Sequence, residues 1–274
     1  MNLMKINMKI IVLAKQVPDT RSVGPDAMTP QGTVNRAALP AIFNPEDLNA
    51  LEMALQIKDN LPETHITVLT MGLPKATEIL REALYRGADD VVLLTDRALG
   101  GADTLATSYA LSKAIRKIGQ PDLILCGRQA IDGDTAQVGP QVAEKLSIPQ
   151  VTCVENVILN NKTATVTRRI DGGIEVVEAP MPCLLTVTGT ANECRPQNAR
   201  RVMIYKKDKH LPLSVWSAED IDADRANCGL AGSPTKVKNV QNIVFKAKES
   251  KRLTDAEDDI NNLIHELLES HTLS

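Results

Sequence analysis

The chain has 274 residues, a formal net charge of −3 and 43% hydrophobic residues, which suits one large domain or a domain with a sizeable arm. Aromatic residues make up only 2%, so stacking platforms for single-stranded nucleic acid are excluded, and the slightly acidic balance offers no basic footprint for DNA or RNA. No apolar run approaches the ~20 residues needed to span a bilayer, and MNLMKINMK lacks the apolar stretch of a secretory leader; a cytoplasmic protein without membrane insertion is expected.

Residues 1–7 read as a start-site extension, because Met8 opens the first convincing strand. The run KIIVLA at 9–14 is continuously apolar, as in a strand covered on both faces. KQVPDT at 15–20 breaks it, and 21–43 reads as a long loop with a small hairpin. Asn44-Pro45-Glu46-Asp47 is a helix start: a cap, a first-turn proline, and acids at the positive end of the dipole. Leu48, Leu51 and Leu55 give that helix its apolar stripe. A strand at 66–71, a helix at 74–86 closed by Gly87, and a strand at 91–94 follow. Gly100-Gly101-Ala102-Asp103-Thr104 opens a helix that runs to Ile118, and 123–125 is the fourth strand. This alternation predicts an α/β fold with a doubly wound parallel sheet. Ligands of such sheets lie beyond the carboxyl ends of the strands.

The pattern changes after Pro149. Residues 151–159 and 163–169 flank an Asn160-Asn161 hairpin signal, Gly172-Gly173 makes a second turn, and 174–177 and 184–187 complete a small antiparallel element. Residues 189–242 are polar and irregular and could not bury a core of their own. At the end, Ile260, Leu263, Ile264, Leu267 and Leu268 recur at helical spacing. Docking of this helix onto another subunit and packing back onto its own domain both remain open. The expected division is an α/β domain at 1–204 and an extended C-terminal arm at 205–274.

The most informative stretch is CGRQAIDGDTAQVGP at 126–140. It follows a buried strand and leads into a helix beginning around Gln137–Gly139, so the amides of 134–139 are free to face an anion. It matches neither common phosphate-loop motif, and a nucleotide loop and a plain surface turn both stay open. Asp132 and Asp134 sit awkwardly beside a phosphate unless they point away or meet sugar hydroxyls. In the 100–104 corner, Asp103 or Thr104 reads as a helix cap, or, with Thr107 one turn on, as a ligand contact. The five cysteines, Cys126, Cys153, Cys183, Cys194 and Cys228, are unpaired by spacing and read as reduced thiols; no metal site is expected. His65, His210, His265 and His271 are isolated, and no acid–base or nucleophile constellation stands out, so the chemistry is expected to belong to a cofactor.

Taken together, KIIVLAKQVPDT, Asn44-Pro45-Glu46-Asp47, GADTLATS at 101–108, the 126–140 loop, RIDGG at 169–173 and the stretch from 184 to about 201 resemble the beta subunit of electron-transfer flavoproteins across nearly the whole chain. The resemblance implies an adenine-nucleotide-binding, Rossmann-like α/β domain whose C-terminal arm embraces an alpha subunit. VPDT, ADT and GDTAQVG look like the electron-bifurcating group, in which the crevice holds FAD and NADH binds beside it; ordinary members hold AMP there as a structural ligand. Carried over, Ala14, Lys15 and Gln16 would line the adenine side, Asn44 would contact the ligand, and Met71 would abut it. Gly101, Ala102, Asp103, Thr104 and Thr107 would follow the ribityl and pyrophosphate region. Gly127, Arg128 and Gln129, with Asp132, Gly133, Asp134, Thr135, Gln137, Val138 and Gly139, would wrap the phosphate and ribose. The family grips flavin dehydrogenases with a loop corresponding to 190–201. QNARR at 197–201 departs from the version that serves acyl-CoA dehydrogenases, which leaves room for a lactate or other 2-hydroxy-acid dehydrogenase. Ferredoxin or flavodoxin would be the low-potential acceptor.

Overall fold

The computed structural model describes residues 8–19, 40–160, 162–207, 211–235 and 252–269. The expected start-site extension, most of the 21–43 loop, Asn161, and His210 and His271 lie outside these residues.

The first strand, Lys9–Leu13 (β1), sits in the middle of the sheet. Ile10 and Val12 join the core on one face and Ile11 and Leu13 the core on the other, which explains its unbroken apolar run. Gln16–Pro18 (β2) and Ala41–Phe43 (β3) form a separate antiparallel pair. Helix α1, Pro45–Asn60, buries Ala50, Leu51 and Ala54 against the first face. His65–Met71 (β4), helix Thr77–Arg86 (α2), Asp90–Leu94 (β5), helix Thr104–Ile118 (α3), Leu123–Gly127 (β6) and helix Val138–Leu146 (α4) continue the alternation. Helix α2 joins α1 on the first face; α3 and α4 cover the second through Ala110, Leu111, Val142 and Ala143.

The remaining strands are Gln150–Asn160 (β7), Thr163–Ile170 (β8), Gly173–Pro180 (β9), Cys183–Val187 (β10) and Leu213–Trp216 (β11), with a short helix, Ala199–Tyr205 (α5), between the last two. Among the described residues one nine-stranded sheet forms in the order β11-β5-β4-β1-β6-β10-β7-β8-β9. The doubly wound parallel sheet is as expected, and its direction of winding reverses between β1 and β6.

Two expectations are corrected. Residues 184–187 do not complete an antiparallel element: β10 lies parallel between β6 and β7, fully buried, and within this sheet only β7, β8 and β9 pair antiparallel. The antiparallel strands thus extend the main sheet. The segment after residue 204 begins by adding to the α/β domain. Strand β11 pairs parallel with β5, and Ala218, Ile221 and Cys228 enter the second-face core. Helix Glu257–Glu269 (α6) forms as expected, and it buries none of its residues. No described helix is long and apolar enough to cross a membrane.

Candidate functional site

The carboxyl ends of β1, β4 and β6, the turn after β5 and the start of α3 surround a cleft of about 400 Å³ at the winding reversal. Its floor is apolar, from Leu13, Leu69, Met71, Leu99 and Leu111; its rim is the polar glycine-rich loop between β6 and α4. An apolar floor with a few convergent polar groups is the usual make-up of a small-molecule site.

The rim loop is held from behind by the start of α1. Asn44 makes no side-chain cap on its own helix. Its amide instead donates to the Gln129 carbonyl (2.9 Å) and its carbonyl oxygen accepts from Ile131 N (3.1 Å). Glu46 accepts from Gln129 N (2.9 Å) and pairs with the Arg128 guanidinium (3.1 Å). Asp47 accepts from Gly127 N and Lys15 N, both at 2.9 Å. The residues that read as an ordinary helix start are therefore a clamp on the loop. Burial pushes the Asp47 carboxyl up to about 7, although hydrogen bonds from Gly127, Lys15 and Asn44 and the Lys15 charge oppose the rise. Burial, and then the charge of Asp47, push the Cys126 thiol far above its ordinary value, so it is no nucleophile at neutral pH.

The two acids that looked awkward beside an anion are both engaged. Asp132 lies outside the lining and accepts from Lys15 Nζ at 2.7 Å; Asp134 accepts from the Gln129 side chain at 3.0 Å. The cations Lys15 and Arg128 are thus already paired. What the loop offers an anion is backbone: after Gly133 and Asp134 donate to Ala130 O, the amides from Thr135 to Gly139 take no acceptor among the described residues. Asp134 and Ala136 hold φ of 49° and 52°, left-handed values that a non-glycine residue adopts at an energetic cost.

The opposite wall is the start of α3. Asp103 caps it, accepting from Ala106 N at 3.0 Å, as expected. It also receives Thr235 Oγ1 (2.7 Å) and Thr235 N, while its own amide donates to Ser233 Oγ (2.8 Å). Against the upward push of desolvation, the bonds from Ala106 and Thr235 hold its carboxyl down at about 2. Thr104 Oγ1 donates to Gln137 Oε1 at 2.9 Å, joining this wall to the rim loop.

The structure brings Ala14, Lys15, Met71, Gly101–Thr104, Thr107, Gly127–Gln129, Gly133–Thr135 and Gln137–Gly139 together around the cleft. Three expected contacts, Gln16, Asn44 and Asp132, lie outside its lining. Gln16 turns away and donates to the Lys75 carbonyl at 3.3 Å, and the other two brace the wall. Sequence reasoning missed the apolar floor, Cys126, Ala130, Ala136 and, above all, Asp47. The floor was detectable as the inward-alternating ends of β1 and β4. Asp47 was masked because a helix dipole fully accounts for an acid in the first turn.

The electron transfer flavoprotein domain matches residues 31–211. The chain belongs to the electron transfer flavoprotein family. It is 50% identical over 231 residues to the caffeyl-CoA reductase-Etf complex subunit CarD of Acetobacterium woodii, covering 84% of this chain and 86% of that one. It is 50% identical over 232 residues to the electron transfer flavoprotein subunit beta of Clostridium acetobutylicum, with 84% and 86% covered. The acryloyl-CoA reductase electron transfer subunit gamma of Anaerotignum propionicum is 45% identical over 236 residues, again with 84% and 86% covered. This electron transfer flavoprotein chain is thus of the beta-subunit type, and the cleft described above is built largely within the matched region.

Proposed function

We propose that the cleft holds FAD, that NADH is the hydride source beside it, and that this beta subunit divides electrons between two acceptors. One acceptor is ferredoxin or flavodoxin; the other, through the FAD of the alpha subunit, is a partner flavin dehydrogenase. The observation that carries the reading is the run of amides from Thr135 to Gly139, without an acceptor among the described residues, in a cleft with an apolar floor at the winding reversal. Bound FAD supplies hydride and single-electron chemistry that no side chain of the cleft offers. The chain's own residues bind and orient. Ala14 and Lys15 line the adenine side, and Met71 packs against the ligand. Gly101–Thr104 and Thr107 follow the ribityl and pyrophosphate region. Gly127–Gln129 and Gly133–Gly139 enclose phosphate and ribose, while Leu13, Leu69 and Leu111 exclude water. Asn44, Gln16 and Asp132 act from outside the lining.

The partner reading favours an acyl-CoA-type flavoenzyme over a 2-hydroxy-acid or lactate dehydrogenase, because two relatives carry acyl-CoA reductase complexes in their names. Helix α6, with Ile260, Ile264 and Leu268 exposed, is the segment that docks on the alpha subunit in a cytoplasmic heterodimer. A second reading, AMP held as a structural ligand in a non-bifurcating carrier, draws support from the same amide run, which suffices for a single phosphate. Extraction of nucleotide from the purified heterodimer separates the two. Two FAD per heterodimer with reduction by NADH is expected; one FAD plus AMP overturns bifurcation.

A further inference from the structure

The lining of the cleft includes a buried carboxylate that nucleotide binding and redox chemistry do not call for. Asp47 belongs to α1, is 7% exposed, and lines the cleft. One of its oxygens accepts from Lys15 N, just beyond β1, and the other from Gly127 N, the last residue of β6. Those are the two strands between which the sheet reverses its winding. Asp47 thus joins the two strand ends at the mouth of the cleft. The approach is tight: a Cβ on Gly127 would lie 2.6 Å from Asp47 Oδ1 and 2.7 Å from Asp47 N.

We propose that Asp47 is a positioning residue that fixes the ends of β1 and β6 for an anionic nucleotide, and that nucleotide binding is accompanied by proton uptake at its carboxyl. The inference rests on the nucleotide reading of the cleft. A carboxylate that lines the cleft repels the phosphates on the rim, and in a buried site this repulsion is weakly screened. The neutral acid removes the repulsion and keeps its hold on the amides through its lone pairs. The facing groups leave the charge without a direct cationic partner. From the β1 end, Lys15 sends its ammonium to Asp132; from β6 comes the Cys126 thiol; on α1 itself, Glu46 is paired with Arg128 of the loop. Burial places the carboxyl near neutrality before any ligand arrives, so an approaching anion shifts it within the physiological range. Among the described residues no histidine lines the cleft.

The test uses the full chain co-purified with its alpha subunit and stripped of nucleotide, with ADP-ribose as the probe, a pyrophosphate diester without groups that titrate near neutrality. Calorimetry from pH 5.5 to 8.5, in buffers of different ionisation enthalpy, gives affinity and proton uptake together. Affinity is expected to weaken about tenfold as pH rises across this range, for an anion that raises the carboxyl by about one unit, with part of a proton taken up per ligand near pH 7. Asp47→Asn should flatten this profile, and Asp47→Ala, which leaves two amides without acceptors, should flatten it too and bind about tenfold more weakly than Asp47→Asn at every pH. Tight binding with no pH dependence and no proton uptake in the unaltered protein overturns the inference while leaving the nucleotide reading intact, and needs no variant that might fold poorly. Retention of the slope in Asp47→Asn overturns it equally. Absence of ADP-ribose binding at any pH removes the nucleotide reading, and this inference with it.

Discussion

Single residues decide how the cleft is built, and their roles differ from what their types announce. Gly139 stands at the helix start where a close backbone approach to a ligand is expected. Yet a Cβ there would meet Cys126 Sγ at 2.8 Å and Thr186 Cγ2 at 2.9 Å, so its smallness serves the packing of α4 on β6 and β10. Gly139→Val should lower stability by ~1–3 kcal/mol in urea denaturation, with ligand loss following from the displaced helix. Gly133, whose Cβ would meet nothing, tolerates alanine. Asp47 and Asp103 pull stability in opposite directions with pH. Asp47 is raised from 3.8 to about 7, so the folded state binds the extra proton, and its contribution declines as pH rises through that interval. Asp103 is lowered from 3.8 to about 2, so its contribution is present above pH ~4 and is lost on acidification through that window. Thermal melts should therefore show a descending limb between pH 4 and 7 that Asp47→Asn reduces, and an acid limb that Asp103→Ala makes shallower without removing it, because Asp96 and Glu155 are also held low.

At the scale of elements, the loop from β10 to α5 is fastened rather than loose. Arg195 reaches Glu52 Oε2 of α1 at 2.8 Å and Asp59 Oδ2 at 2.7 Å, and the Arg195 carbonyl accepts from Arg86 of α2. Glu52 is buried, so Arg195→Ala strands a charge and should cost about 3 kcal/mol, with faster amide exchange across 190–198 than elsewhere. The strands that were legible, β1, β4, β5 and β6, carry continuous apolar runs because helices cover both faces. Strand β10 has the same kind of run, but a run of that length carries no information on the direction of its neighbour, and the preceding hairpins favoured the wrong one. Strand β11 was invisible. It has four residues at the sheet edge, Ser214 and Val215 are exposed, and it is flanked by polar chain. The glycine-rich rim was legible because helix-start amides follow from local pattern; the clamp by Asn44, Glu46 and Asp47 was not, because it joins residues some eighty positions apart.

For the whole molecule, the consequence concerns where the α/β domain ends. A boundary after residue 204 would strip β11 from β5 and uncover the core that Ala218, Ile221 and Cys228 complete. A chain ending at 235 should fold, showing native circular dichroism and monodisperse elution, whereas one ending at 204 should aggregate through the bared edge of β5. The stretch at 228–235 also closes the wall of the cleft: Leu230 packs where a Cβ on Gly101 would lie, and Ser233 and Thr235 hold Asp103. Ser233 and Thr235 thus stand at the lip of the pocket itself. Any displacement of Thr235 is delivered through Asp103 to the first turn of α3, like a drawstring sewn into the hem of a pouch.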